Sequence, residues 1–176
     1  RWIEWAESRS GALIELRTKS ANFAAISTLP AARNTILAWT LSPPRIADKY
    51  EQKTPPFHRR LAAIKEAVEA GWQVRLCLDP MLRVADWESQ YSEMVDAIAD
   101  AIDMNQLFDA YVGVFRMNHE YLQRIQRLRQ DSDALFYPFE RRDRGVSYPV
   151  DEALEMKALV SRKLAEHMDE ARIFCH

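Results

Sequence analysis

The chain has 176 residues, with 24 Lys and Arg against 26 Asp and Glu and a formal net charge of −2 at pH 7. This length fits one domain with a sizeable core, and the near-neutral charge excludes binding to nucleic acid through overall charge, so any basic surface must be local. No apolar run approaches the roughly 18 residues that a membrane-spanning helix needs. No secretory signal precedes the first predicted strand, so we expect no contact with a membrane.

The two cysteines, Cys77 and Cys175, lie in apolar, strand-like runs and have neither metal-ligand nor disulfide-framework spacing. We therefore predict two buried thiols and a reducing, cytoplasmic compartment. The chain begins RWIEWAESR, without an initiator Met, as though a helix were already under way. This start indicates a piece of a longer protein.

The spacing of apolar residues predicts strands that alternate with helices along most of the chain. The predicted strands are 12–18, 35–41, 72–78, 110–115 and a short terminal strand at 172–175. The predicted helices are 2–9, a short helix or turn within 20–29, then 44–51, 56–70, 86–102, 118–129 and 150–168. The segment 131–149 is predicted to be irregular.

Prolines and short polar residues set several of these boundaries. Pro43–Pro44 ends the second strand, and Ser42 is well placed to cap the helix that follows. Asp79–Pro80 is predicted to break the third strand, and Asp86 is the expected N-cap of helix 86–102.

The alternation predicts an α/β fold in which β-α units build a parallel sheet. Four units within 130 residues correspond to half of a (β/α)8 barrel or to an open sheet of similar build. We assign 1–130 to these units and 131–176 to an extension with an aromatic and arginine-rich loop, a helix and a short strand. Neither GxGxxG nor GxxxxGK[ST] is present, so the usual dinucleotide and P-loop sites are unsupported.

Polar residues follow three of the predicted strands, where parallel α/β proteins bind their ligands. Lys19 could hold a carboxylate or phosphate as a point charge, or be a solvated loop residue. Ser42 could donate to a ligand hydroxyl or carboxylate, besides capping a helix. Asp79 could accept from a ribose or an adenine amino group, with a local Asx-turn as the competing interpretation.

Other charged residues lie near these strand ends. Arg116 follows the fourth strand, and His119 begins the next helix, where exposure or capping competes with a catalytic role. Glu15 and Arg17 share one face of the first strand and could pair with each other inside a barrel.

A charge run at 140–144 lies among aromatic residues. Arg141, Arg142 and Arg144, with Tyr148 close behind, could form a local surface that binds phosphates and stacks on bases. The alternative is an ordinary solvated loop.

Taken in order, these segments resemble one family. ELRTKS, AWTLSP followed by RIADKYE and TPPFHRRLAAIKEAVEAG, then VRLCLDP, WESQY and GVFRMN are similar to the spore photoproduct lyase family of radical S-adenosylmethionine enzymes. The resemblance extends through the terminal RIFCH. It implies a partial (β/α)6 TIM-like barrel of which this chain is the later half, in a parent enzyme that lyses a carbon–carbon bond of a DNA photoproduct.

The resemblance also implies S-adenosylmethionine and a [4Fe-4S] cluster in the parent protein. Lys19 would contact the cofactor's polar end, Ser42 its ribose or methionine part, and Asp79 would lie beside the adenosine. The segment 137–149 corresponds in place to a hairpin that approaches damaged DNA, and Tyr148 to a radical-relay tyrosine. DNA or a nucleotide-like molecule is the implied substrate.

The family's CxxxCxxC motif, which binds three irons of the cluster, does not occur in this sequence. We therefore predict that the chain alone is inactive and that its partner is the missing N-terminal half of the barrel. Two other functions stay open. One is a non-catalytic binding or interaction module on a degenerate half-barrel, and the other is a different (β/α) enzyme that uses Lys19 as a Schiff-base nucleophile.

Overall fold

Five parallel strands form the larger sheet of the computed structural model, which describes residues 2–9, 11–142 and 145–176. They are β1 (Ile14–Thr18), β2 (Thr35–Thr40), β3 (Gln73–Met81), β4 (Asp109–Val114) and β8 (Ile173–Cys175), adjacent in the order β1-β2-β3-β4-β8. Crossover segments connect successive strands, as parallel pairing requires, and they contain α-helices except between β1 and β2, where only a short 3-10 helix at Phe23–Ala25 occurs. The α/β class and the alternation of β-α units are confirmed.

Six α-helices accompany the sheets in the described part of the chain. They are α1 (Trp2–Glu7), α2 (Pro44–Tyr50), α3 (Phe57–Glu69), α4 (Trp87–Ala101), α5 (His119–Leu128) and α6 (Val150–Ala165). One face of α4 is buried, because apolar residues recur at intervals of three and four: Trp87, Tyr91, Met94, Val95 and Ile98. No helix in the described ranges is both long and apolar enough to cross a membrane.

The core lies on one face of the five-stranded sheet. Alternate residues of β2, β3 and β4, including Leu37, Leu76 and Val112, join one buried cluster with the inner faces of α3, α4 and α6. Each of these three side chains is at most 3% exposed. Burial of this apolar area stabilises the fold, at about 25 cal/mol for each Å² removed from water.

A second, antiparallel sheet contains β5 (Arg116–Asn118), β6 (Glu140–Arg142) and β7 (Gly145–Ser147), in the order β5-β7-β6. It therefore joins residues from both sides of position 130. Stacked aromatic rings lie beside it: Phe115 and Phe139 have centroids 4.9 Å apart, and Tyr137 meets Tyr148 edge-on at 4.8 Å. The prediction that 131–149 is irregular was wrong for β6 and β7. Each of these strands is too short to show a clear alternation of apolar and polar residues.

Two boundary predictions were also wrong. Strand β3 does not break at Asp79–Pro80 but continues to Met81, because its pairing with β4 shifts register between Leu78 and Met81. Because of this irregularity, Pro80, which has no backbone N–H, lies outside the regular pattern of hydrogen bonds between β3 and β4. Ser42 does not cap α2, whose N-cap is Pro43, since the serine hydroxyl is hydrogen-bonded elsewhere.

Two further predictions were right in part. Asp86 is the N-cap of α4, but it has φ 57° and its side chain makes no capping hydrogen bond. Cys77 is buried, as predicted, whereas Cys175 is exposed because β8 is an edge strand.

Candidate functional site

The face of the parallel sheet opposite the core is polar. Residues on this face alternate with the core residues along the same strands and include Glu15, Arg17, Arg75, Cys77, Asp79, Asp109 and Tyr111. Ala38 of β2 lies in register between Arg17 on β1 and Arg75 on β3. This small side chain leaves room for long arginines to cross the middle of the sheet.

Arg75 connects three strands across this face. It donates to Asp109 through Nε to Oδ1 at 2.5 Å and Nη2 to Oδ2 at 2.6 Å, and its Nη1 pairs with Glu15. The guanidinium also lies 4.2 Å from the centroid of Tyr111. The hydrogen bond to Asp109 raises the pKa of Arg75, so this cation is permanently charged and already partnered. Glu15 therefore pairs with Arg75 and not, as was predicted, with Arg17, because the Arg75 side chain extends across β2.

Asp79 is held by two arginines. Arg116 donates to both carboxylate oxygens, Nη1 to Oδ1 at 2.7 Å and Nη2 to Oδ2 at 3.1 Å, and Arg17 Nη2 lies 3.4 Å from Oδ2. Burial acts to raise the pKa of Asp79, but the hydrogen bond and charge of Arg116, with Arg17, lower it overall. A Cβ on Gly113 would lie 2.7 Å from Oδ1, so this glycine makes room for the carboxylate.

These groups line a cavity of about 240 Å³. Arg17 and Arg116 are about half exposed there, with side-chain exposures of 42% and 53%. Burial raises the pKa of the Cys77 thiol to about 11, so it is neutral near pH 7. The cavity therefore presents two half-exposed arginines beside the Asp79 carboxylate that they bind and beside the Arg75–Glu15 pair, an arrangement that suits an anionic ligand.

Lys19 and Ser42 meet at a second cavity. Lys19 Nζ donates to Oε1 of Glu51 at 2.6 Å, and Ser42 Oγ donates to the same oxygen at 2.8 Å. The cavity measures about 260 Å³, and Leu82 and Phe115 are among its apolar lining residues. The structure thus brings two of the three predicted cofactor residues together. Asp79 lies in the first cavity, although its neighbour Pro80 lines the second.

Arg60 binds the other carboxylate oxygen of Glu51, Oε2. Its side chain is fully buried and donates to Glu51 Oε2 at 2.6 Å, to the Thr40 carbonyl at 3.1 Å and to the Pro55 carbonyl at 2.8 Å. Burial acts to raise the pKa of Glu51, but hydrogen bonds and charge from Lys19, with Ser42 and Arg60, lower it overall. The carboxylate is therefore ionised near pH 7.

Sequence analysis missed both Glu51 and Arg60. A signal for Arg60 was present, because it shares the inner face of α3 with Ile64 and Ala67 at helical spacing. A charged residue at such a position must have buried partners. Glu51 follows α2 and had no comparable signal, since the pattern of a single helix does not show which strand ends lie beside it.

Part of the predicted arginine surface faces solvent. Arg141 and Arg142 are exposed on β6, where Arg141 Nη2 lies 2.6 Å from His119 Nε2 and Arg142 Nη2 lies 3.7 Å from Glu140. Arg144 lies outside the described residues. Tyr148 is 1% exposed, and its hydroxyl accepts from the Arg83 backbone N–H at 2.8 Å. Burial raises the pKa of Tyr148 to about 12.

Comparison with known structures gives a strong match over nearly the whole chain. A spore photoproduct lyase variant with bound AdoMet and dinucleoside spore photoproduct has a TM-score of 0.82 at 19% identity, covering 99% of this chain and 53% of that one. A spore photoproduct lyase complexed with the dinucleoside spore photoproduct has a TM-score of 0.80 at 18% identity, with the same coverage. The chain thus spans about half the length of the structures it matches, and its sheet and helices correspond to a fragment of their barrel.

Sequence comparison agrees with this match. No curated protein matches the chain in sequence. The family model for spore photoproduct lyase, however, matches residues 1–174 of the 176. Because the match spans almost every residue, the chain belongs to the spore photoproduct lyase family.

Proposed function

We propose that this chain is the C-terminal portion of a radical S-adenosylmethionine lyase that acts on a DNA photoproduct. In this proposal it supplies part of the barrel wall, one side of the cofactor pocket and part of the substrate surface. The observation that carries the proposal is the meeting of Lys19 and Ser42 at one cavity, 2.6 and 2.8 Å from the same oxygen of Glu51. One matched structure, which holds both AdoMet and a dinucleoside spore photoproduct, supports it.

The residues of this cavity fit the amino-acid end of S-adenosylmethionine. An ammonium group has three N–H donors, and Lys19 uses one on Glu51, which leaves two for the ligand's carboxylate. Leu82 and Phe115 offer apolar contacts to the rest of the molecule. Bound together with an iron–sulfur cluster, this cofactor supplies hydrogen-atom abstraction.

The residues of this chain do not fit the cluster. Cys77 is buried within β3 and Cys175 lies on the edge strand β8, and neither belongs to a three-cysteine motif. We therefore propose that the N-terminal half of the barrel supplies the cluster ligands and that this chain alone is inactive. Within the described residues β1 pairs only with β2, and its free edge is where we place the missing half.

The polar face of the sheet is proposed to line the barrel interior. Asp79, ionised and held by Arg116, retains lone pairs that can accept from a ribose hydroxyl or an adenine amino group. Arg17 and Arg116 would attract a phosphate. We also propose that 1–130 forms the half-barrel β-α units and that 131–176 is a C-terminal extension of them.

The exposed arginines of β6 are proposed to contact the DNA backbone. Arg141 and Arg142 face solvent, and Arg144 is included from sequence alone. Tyr148 is proposed to serve this surface without contacting the DNA backbone itself, because its ring is buried in the aromatic cluster. We place the parent protein in the cytoplasm.

Equilibrium dialysis of S-adenosylmethionine against the intact parent protein, reconstituted without oxygen, tests this function. We expect Lys19→Ala to weaken binding about tenfold, because a charge-assisted hydrogen bond contributes about 1.5–3 kcal/mol. The exposed Lys65→Ala is the matched control. Unchanged binding by Lys19→Ala, or a wild-type protein that neither binds the cofactor nor cleaves a spore photoproduct dinucleotide, would contradict the proposal.

A non-catalytic module is the second candidate, favoured by the absence of CxxxCxxC from this sequence. An upstream coding region without that motif would establish it. The Schiff-base alternative has less support, because Lys19 Nζ is hydrogen-bonded to the Glu51 carboxylate and is not free for nucleophilic attack. Borohydride trapping of a lysine adduct with a carbonyl substrate would revive it.

A further inference from the structure

Glu51 collects three hydrogen bonds on one carboxylate. Oε1 accepts from Lys19 and Ser42, and Oε2 accepts from Arg60 at 2.6 Å. The Glu51 side chain is 9% exposed and the Arg60 side chain is fully buried. Burying such an ion pair is favourable only when its other donors also find partners, and Arg60 donates in addition to two backbone carbonyls and to the Thr54 hydroxyl.

This arrangement determines which of the two groups facing the cavity, Ser42 and Lys19, donates a hydrogen bond to a ligand and which accepts one. An ionised carboxylate can only accept, so the single hydroxyl hydrogen of Ser42 must point at Glu51. The Ser42 oxygen therefore offers only lone pairs to a ligand. Lys19 can only donate, and it keeps two N–H groups for the ligand.

We infer that Glu51 is a positioning residue that, held by Arg60, makes Lys19 the donor and Ser42 the acceptor for a ligand's α-amino-acid end. A carboxylate would bind Lys19, and the N–H of the adjacent amino group would donate to Ser42. The inference rests on the proposed function and adds to it a residue that sets selectivity for the amino-acid end of the cofactor.

Glu51→Gln should turn Ser42 from a hydrogen-bond acceptor for the ligand into a donor, with almost no change in the shape of the side chain at position 51. The amide oxygen stays on Arg60, which can only donate, so the amide NH₂ turns towards Lys19 and Ser42. The NH₂ group then opposes the Lys19 ammonium and donates to Ser42. The hydroxyl of Ser42 is thereby released to point into the cavity as a donor.

Isothermal titration calorimetry on the intact parent protein tests the inference with two ligands. 5′-Methylthioadenosine shares the adenosine and sulfur of S-adenosylmethionine but lacks the amino-acid end. For Glu51→Gln we expect about a tenfold loss of S-adenosylmethionine affinity, the size of one charge-assisted contact. Affinity for 5′-methylthioadenosine should stay within about twofold, as both should in the control Glu66→Gln, an exposed residue of α3. Equal losses for both ligands, or no loss for either, would overturn the inference.

Glu51→Asp covers the case in which the glutamine variant does not fold. It keeps a negative charge opposite Arg60 but is one methylene too short to reach Lys19 and Ser42 as well. We expect circular dichroism like that of the wild type together with the same selective loss of S-adenosylmethionine affinity. A variant that folds and binds both ligands as the wild type does would contradict the positioning role.

Lysine reactivity separates this inference from the proposed function. If the wild-type protein binds neither ligand, the proposed function fails, whereas the hydrogen bond from Lys19 to Glu51 can still be measured. In the wild type, Lys19 should react with trinitrobenzenesulfonate several-fold more slowly than the exposed Lys65, as followed by mass spectrometry. Equal rates at the two lysines would show that Glu51 does not hold Lys19, and would overturn the inference independently.

Discussion

The two faces of the parallel sheet are built from alternate residues of the same strands, yet they differ in almost every property. Leu76 belongs to the buried cluster under the helices, while its neighbours Arg75 and Cys77 lie on the other face beside carboxylates and a cavity. One face is held together by apolar burial and the other by paired charges. This contrast separates the residues that stabilise the fold from those available for binding.

The largest expected effect tests this division of roles directly. Leu76→Ala should lower the free energy of unfolding by about 3 kcal/mol, because the side chain is fully buried and a cavity remains. Arg17→Ala, on the polar face and 42% exposed, should cost about 1 kcal/mol or less. Urea denaturation followed by circular dichroism measures both. Equal losses would mean that the polar face carries as much of the stability as the core does.

A smaller effect is expected at Gly113, where space rather than charge is the limit. The Cβ of Gly113→Ala would lie 2.7 Å from Asp79 Oδ1 and 3.1 Å from Arg116 Nη1, so the carboxylate must move. We expect a loss of about 2 kcal/mol, typical of overpacking. A thermal melt would measure it, and an unchanged midpoint would show that the Asp79–Arg116 pair shifts freely.

The smallest effect concerns pH and should arise on the polar face alone. The pKa of Asp79 is lowered from its usual 3.8, so the folded state binds fewer protons than the unfolded chain at this residue. Its contribution is present above the unfolded pKa and is lost as pH falls through the folded value. Asp79→Asn should therefore weaken the fall in stability below about pH 4, by less than about 1 kcal/mol since both arginines are half exposed. Denaturant titrations at pH 3 and pH 6 would show it. An identical pH dependence in the two proteins would contradict this account of Asp79.

The sequence was sufficient to predict the order of β-α units, because buried parallel strands and amphipathic helices have distinct apolar patterns. It also located Lys19 and Ser42 at strand ends. It was insufficient for the partners of these residues, since a contact such as that between Arg75 and Glu15 depends on which strands are neighbours and in what register. The same limit explains why the pairing of Glu15 with Arg17 was predicted wrongly.

Local rules also failed at Asp79–Pro80 for a physical reason. Proline favours a strand end because it removes a ladder hydrogen bond, but a register shift supplies a position that needs no such bond. The strand therefore continues, and Pro80 reaches the wall of the second cavity. Whether a strand contains such an irregularity depends on its neighbour, which no single segment reveals.

The small side chain of Ala38 has a consequence for how related sequences can vary. It is fully buried and lies in register between Arg17 and Arg75, so a larger residue there would displace Arg75 from Glu15. Where position 75 is arginine, we therefore expect position 38 to be restricted to glycine, alanine or serine. Where position 75 is short and uncharged, that restriction should disappear. The volume of the residue at position 38 and the charge of the residue at position 75 should thus change together during the divergence of this family.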